Sequence, residues 1–204
     1  MERPRAASGA GGSRAAAAAA RLPPPPPPPP PARPTAAAAA VERMAAQIEA
    51  DYPDVRHVRP EYAMRKGGAP LLLVDTRTAA ERRVSVLPGA VPLRELERRL
   101  ALEDAEAGGG EAVSRPEYVL YCTIGKRSSD HCRRLARKHP SAAARLGNLR
   151  GSLLAWAHAS LPLEGGATRL HCYARPWALL PEGGAYEPVV FSPLGLIAAS
   201  VFSS

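Results

Sequence analysis

Apolar residues fall in two patterns along the middle of the chain. Short unbroken runs, Leu71-Leu72-Leu73-Val74 and Tyr118-Val119-Leu120-Tyr121, lead into Asp75 and Cys122. Runs of this length without polar alternation predict strands buried on both faces, as in a parallel sheet. Around them the spacing is helical. Residues 41–50 combine apolar spacing with good helix formers, and Leu93, Leu96, Leu100 and Leu102 recur amid charges over 93–107. A further helix is predicted over 128–139. Its apolar face holds Cys132, Leu135 and Ala136, and its polar face Arg133, Arg134, Arg137 and Lys138. Shorter elements complete the pattern: strands near 55–58 and 148–149, and a helix over 151–159 with Leu153, Leu154 and Trp156. Pro60 opens a short helix that Gly67-Gly68 stops, and Gly108-Gly109-Gly110 ends the longer one. Strands alternating with helices predict an α/β fold, a small parallel sheet flanked by helices on both faces.

The two ends of the chain break this pattern. Residues 1–41 hold nine consecutive prolines (23–31) and two alanine runs (15–20 and 36–40). Such a stretch buries too little apolar surface to offset its ordering entropy, so a disordered leader is predicted, stiff where proline repeats. Its Arg-rich, acid-poor composition is that of an organelle transit peptide. The expected location is a chloroplast or another organelle, the alternative being a cytoplasmic protein with an unaddressed extension. Residues 42–164 form the predicted domain, and residues 165–204 a C-terminal extension partly packed on it. The last 16 residues carry no charge. With a proline and four serines among them, they fall short of the ~20 apolar residues a membrane span needs.

The net charge of +8 raises the question of a nucleic-acid partner. Half of that charge lies in the leader, and no nucleic-acid motif accompanies it, so none is expected. Only Lys66, Lys126 and Lys138 are lysines; the other basic residues are arginines. The three cysteines, Cys122, Cys132 and Cys172, are widely spaced, and no CxxC occurs. That does not look like a disulfide framework and argues against structural zinc; no metal or other cofactor is expected. Cys132 lies on the apolar face of its helix and reads as core. Adjacent His171 and Cys172 would point to opposite faces of a strand, and both read as structural.

Cys122 has a more informative setting. It follows a buried strand and precedes a helix, the place where open α/β sheets bind ligands. The intervening residues Thr123, Ile124, Gly125, Lys126, Arg127 and Ser128 can turn their backbone N–H groups towards a common centre. With the helix N-terminus, such a nest binds an anion and favours a thiolate. Lys126 and Arg127 add positive charge, and Gly125 permits a backbone geometry that a side chain would hinder. A buried strand-end cysteine is the bland alternative. The functional alternatives at this point are sulfur transfer and phosphate-ester hydrolysis.

Three segments resemble one family. Leu72 to Arg77, with Glu81 and Leu87-Pro88-Gly89-Ala90, is similar to the first rhodanese signature. Tyr121 to Ser128 resembles its active-site loop, and Leu149-Arg150-Gly151-Ser152 with Ala155-Trp156 its closing turn and helix. The resemblance covers about residues 54–164, in the family's order and spacing. It implies the three-layer rhodanese-like fold and a sulfurtransferase of the thiosulfate type. Cys122 would then take a sulfane sulfur as a persulfide from a small sulfur-containing anion and pass it to a thiol or thioredoxin-like acceptor. The resemblance also implies that Arg127 helps bind the donor and orient the loop, and that Asp75 and Arg77 support the site. The span from Cys122 to Arg127 is six residues, the family's sulfur-transferring length; the related phosphatases have one more. The loop also lacks the small polar ending of mercaptopyruvate-specific members. One departure stands out: Ser85-Val86 replaces the Gly-His that many members carry before this turn. A rhodanese scaffold used for binding or regulation without turnover is the second reading. Residues 165–177 look like the tail of rhodanese-like proteins from cyanobacteria and photosynthetic eukaryotes.

Overall fold

The computed structural model describes residues 34–65, 70–106 and 115–191. The proline run, the Gly67-Gly68 stop, the triple glycine at 108–110 and residues 192–204 lie outside them. Five strands form one sheet: β1 (His57–Val58), β2 (Leu71–Asp75), β3 (Val91–Pro92), β4 (Glu117–Tyr121) and β5 (Leu146–Leu149). Their order is β1-β5-β4-β2-β3, and every pairing is parallel. Among the described residues six α-helices accompany them: α1 (Ala36–Asp51), α2 (Pro60–Ala63), α3 (Ala79–Val84), α4 (Leu93–Glu106), α5 (Lys126–Lys138) and α6 (Ser152–His158). Two further strands, β6 (Arg169–His171) and β7 (Glu187–Val189), pair in parallel as a separate small sheet.

The core explains the layering. In β4, Tyr118, Val119, Leu120 and Tyr121 are all buried. Successive strand residues point to opposite faces, so a run buried throughout requires cover on both. Helix α5 packs on β4 and β5, α4 packs on β2 and β3, and α1 packs with α6. This is the α/β arrangement of a parallel sheet between helices that the apolar runs predict. No described helix is long and apolar enough to cross a membrane.

The sheet order also places the site. From β2 the chain moves outward to β3, whereas from β4 it moves the other way, to β5. Neighbouring strands whose connections leave in opposite directions open a crevice at their C-terminal ends. The residues at that crevice are Thr76 and Cys122, which directly follow β2 and β4.

Several elements differ from the sequence expectation. The leader is predicted to run disordered to residue 41, yet α1 begins at Ala36. Alanine is the strongest helix former, and the Thr35 side chain caps the first turn by accepting from the Ala38 N–H at 3.2 Å. Val41, Ala45 and Ile48 then anchor the helix at a helical spacing. The Arg150 guanidinium ties it down further, donating to Glu42 at 2.7 Å and to Glu49 at 2.8 Å. Helix α5 begins at Lys126 rather than Ser128, because Gly125 takes the left-handed conformation (φ 117°) and closes the loop early. Strand β5 starts at Leu146, two residues before the predicted strand. Leu102 is exposed, since it lies two residues past the buried Leu100, on the far side of α4.

Candidate active site

Cys122 is held at the meeting of three elements. Tyr121 carries it on the end of β4, and the Thr76 N–H and hydroxyl both donate to the Tyr121 carbonyl, at 3.0 and 2.9 Å. The Cys122 N–H donates to Ser152 Oγ at 3.2 Å, and its carbonyl accepts from the Leu153 N–H at 3.3 Å. The Thr123 carbonyl accepts from Leu154 at 3.1 Å. The loop therefore hangs from the first turn of α6. Gly151 permits this approach. It sits at φ 66°, and a Cβ there would meet the Ala155 Cβ at 2.6 Å.

Two groups address the sulfur directly. The Gly125 N–H donates to Cys122 Sγ at 3.2 Å, and Ser128 Oγ lies 3.6 Å from it. Both belong to the start of α5, whose first N–H groups have no intrahelical partner and whose dipole favours an anion. Behind Ser128 runs a chain of buried polar groups. His57 Nε2 lies 3.2 Å from the Tyr52 carbonyl, so that nitrogen carries the proton in a neutral ring. Nδ1 then accepts from Asn148 Nδ2 at 3.2 Å, and Asn148 Oδ1 accepts the Ser128 hydroxyl at 2.6 Å. The Ser128 hydroxyl lies closer to Asn148 Oδ1 and to the Gly125 carbonyl, at 3.2 Å, than to sulfur, so Gly125 is the backbone donor to Sγ, and the Arg127 guanidinium also interacts with the Cys122 sulfur.

A cavity of about 270 Å³ opens over Cys122, lined by Thr123, Ile124, Lys126 and Arg127. Its remaining lining comes from Tyr173 and Trp177. The Thr123 hydroxyl is buried and has no partner among the described residues. A larger cavity of about 430 Å³ lies elsewhere, around Asp54, Arg133 and Arg137, and includes none of the Cys122 loop.

The two loop cations are both paired, Lys126 with a neighbour on its own helix and Arg127 with a residue distant in the sequence. The Arg127 fork donates to both oxygens of Glu81, at 3.0 and 2.7 Å. Glu81 is buried and also accepts from the Thr78 N–H and hydroxyl, each at 2.9 Å, closing a capping box on α3. His171 Nδ1 lies 3.3 Å from it on the other side. Burial opposes the charge, but the hydrogen bonds from His171 and Arg127 hold the Glu81 carboxyl well below the usual carboxylate range. The Lys126 ammonium is exposed at the rim and donates to Asp130 at 3.2 Å and to the Tyr52 hydroxyl at 3.1 Å.

Asp75 and Arg77 form a buried pair beneath the loop. Arg77 Nε and Nη2 donate to the two Asp75 oxygens at 3.0 and 2.7 Å, and Nη2 also reaches the Ser85 carbonyl at 2.6 Å. The Tyr121 hydroxyl donates to Asp75 at 2.8 Å and accepts from the Leu87 N–H at 3.1 Å. The pair thus braces the end of β4 against the 85–87 segment, where this chain departs from the family signature. Cys132 and Cys172 lie apart from this chemistry. Burial pushes the Cys132 thiol far up and the Cys172 thiol up to about 11, so both stay protonated near neutral pH.

The structure brings Cys122, Thr123, Ile124, Lys126 and Arg127 to one cavity, with Gly125 and Ser128 behind the sulfur and Asp75 and Arg77 below. Sequence reasoning missed the parts played by Glu81, Asn148, Ser152, Tyr173 and Trp177. One signal was available: Thr78-Ala79-Ala80-Glu81 is a capping-box pattern, although nothing local shows that Glu81 also binds Arg127. Among the described residues, no group of three or more His, Cys, Asp or Glu is placed to hold a metal ion.

Comparison with known proteins agrees with this geometry. The rhodanese-like domain model matches residues 59–159. A sulfurtransferase from Allochromatium vinosum is 33% identical over 95 residues, covering 46% of this chain and 78% of that protein. Among solved structures, the thiosulfate sulfurtransferase of Pseudomonas aeruginosa shares 21% identity at a TM-score of 0.42. The match covers 62% of this chain and 23% of that one. A protein of unknown function from Rhodopseudomonas palustris, described as a possible tyrosine phosphatase, shares 17% identity at a TM-score of 0.38. It is matched over 61% of this chain and 93% of its own. At these TM-scores neither structure bears on the assignment, which rests on the family match and the Allochromatium relative. The chain belongs to the rhodanese-like family.

Proposed function

We propose that this family member transfers a sulfane sulfur from a thiosulfate-like donor to a thiol acceptor through a persulfide on Cys122. The observation that carries this reading is the position of Cys122 Sγ. It accepts the Gly125 N–H at the head of α5 and faces a cavity of about 270 Å³. In the first step the Cys122 thiolate attacks the outer sulfur of the donor. A new S–S bond forms on Cys122, the donor's S–S bond breaks, and sulfite (for thiosulfate) leaves with the bonding pair. In the second step an acceptor thiolate attacks the outer sulfur of the persulfide and releases the Cys122 thiolate. The Gly125 N–H and the free N–H groups of the first turn of α5 stabilise the anionic sulfur in both states. A small thiol or a thioredoxin-like protein fits the acceptor role.

Phosphate-ester hydrolysis is less well supported, because it would need Arg127 to clamp the phosphate with a fork that Glu81 already occupies. The test of the main reading is mass spectrometry of the full chain after donor treatment, with thiocyanate release on adding cyanide. One added sulfur on Cys122 and its complete loss in Cys122→Ser are expected. Thiocyanate release unchanged in Cys122→Ser would refute the reading. A Cys122 that takes no sulfur from any donor would point to a binding module on the same scaffold.

A further inference from the structure

The cavity over Cys122 has a second wall that sulfur transfer itself does not require. Tyr173 and Trp177 form it, and both lie beyond residues 59–159, the segment matched by the family model. The segment bearing them is firmly seated. Leu170 and Cys172 are fully buried, the Cys172 N–H donates to the Val189 carbonyl at 2.9 Å, and His158 Nε2 lies 2.8 Å from the Leu179 carbonyl.

The backbone at Tyr173 is strained. Tyr173 has φ 49°, a left-handed conformation uncommon for any residue but glycine. The Ala174 N–H donates to the Cys172 carbonyl, closing a tight three-residue turn around it. Such strain collects at functional sites. The Tyr173 ring meets Trp177 edge-on, with centroids 6.1 Å apart and planes at 68°, and the Arg127 guanidinium lies 5.6 Å from its centre.

Charge and shape at this cavity point away from a small dianion. Both cations that line it have a carboxylate partner, Arg127 with Glu81 and Lys126 with Asp130. Thiosulfate would therefore share both cations with these carboxylates. What the cavity offers besides is two aromatic rings and the Ile124 side chain. Mostly apolar walls with a few fixed polar groups describe a site for an organic ligand. About 150 Å³ suffices for a benzene ring, so about 270 Å³ holds a ring together with a thiosulfonate group.

We infer that Tyr173 and Trp177 determine donor specificity, selecting a sulfane-sulfur donor with a flat apolar group, of the aryl thiosulfonate class, over inorganic thiosulfate. This inference rests on the reading of Cys122 as the sulfur carrier. The ring lies against Trp177 and Tyr173 while the sulfonyl oxygens face the first turn of α5. The Cys122 thiolate attacks the outer sulfur, the S–S bond of the thiosulfonate breaks, and an arylsulfinate leaves with the bonding pair.

Single-turnover sulfur loading of Cys122 in the full chain, followed by mass spectrometry, tests this with three donors. Benzenethiosulfonate carries the ring, methanethiosulfonate has the same charge and leaving-group chemistry without it, and thiosulfate has neither ring nor carbon. Benzenethiosulfonate is expected to load about tenfold faster than methanethiosulfonate, the scale of one good aromatic contact. Trp177→Ala should bring that ratio close to one, while Trp177→Phe should largely keep it. If Trp177→Ala does not fold, Trp177→Leu preserves bulk without a ring and is expected to lower the ratio likewise. Equal loading by the two thiosulfonates, or a ratio unchanged in the ring-removing variants, would overturn the inference and leave the sulfur-carrier reading standing. Loading by none of the three would remove that reading and this inference with it.

Discussion

The two walls of the Cys122 cavity are built by opposite means. The loop wall grows out of the sheet: Cys122, Thr123 and Ile124 are buried, the backbone of Cys122 and Thr123 is bonded to α6, and the Cys122 sulfur accepts from the Gly125 N–H at the head of α5. The aromatic wall is added from outside the matched segment, with Tyr173 half exposed and its backbone strained. Groups that must hold reacting atoms in place gain from rigid, fully bonded surroundings. Groups that choose between substrates can sit on peripheral turns, which vary without disturbing the core. Glu81 joins the two walls, with Arg127 on one side and His171 on the other.

Three substitutions would break or sharpen this comparison. The largest effect is expected under the loop wall. Arg77→Met leaves Asp75 charged and buried without its main partner, and removing one member of a buried ion pair costs about 3–5 kcal/mol. Denaturant unfolding should show a loss of that size; a loss below about 1 kcal/mol would mean that the pair does not brace the site.

At the junction of the walls, Glu81→Gln weakens charge-assisted hydrogen bonds worth about 1.5–3 kcal/mol. The substitution also has a pH signature. Glu81 is held below its ordinary value of 4.5, so its charge adds stability in full above that pH. That stability is lost as the pH falls from there towards the lower folded-state value. The unaltered protein should therefore lose stability more steeply than Glu81→Gln on acidification below about pH 4.5. Parallel curves would show that Glu81 gains nothing from its partners.

The smallest effect is expected at the aromatic wall. Tyr173→Gly relieves the left-handed strain but gives up the ring contacts with Trp177 and Arg127. The two terms are each of order 1 kcal/mol and opposite in sign, so stability should change by less than about 1 kcal/mol. A large loss, read from the unfolding midpoint, would make this wall part of the core rather than an addition to it.

How far the sequence reaches follows from the same contrast. The Cys122 loop was legible because its parts are contiguous: strand, cysteine, glycine and helix start within a few residues. The buried strands β2 and β4 were legible because residues buried on both faces leave an unbroken apolar run. The start of α1 was misread because the alanine run 36–40 carries no apolar face of its own; its order comes from the Thr35 cap and from Val41, Ala45 and Ile48 packed behind it. Glu81 stood in plain view within the signature, but its partner Arg127 is 46 residues away. The contact between Tyr52 and Asp130 spans 78 residues.

By itself, then, the sequence determined the α/β class, the parallel sheet and the cysteine at a strand end facing a helix N-terminus. All of these arise from local periodicity and from backbone groups whose direction the element fixes. Tertiary structure alone decided that Arg127 is paired with the buried Glu81. It alone decided that Ser128 bonds to Asn148 and that two aromatic rings from beyond the family segment close the cavity. The charge and shape that a substrate meets are sums over residues distant in the chain, and only folding brings those residues together.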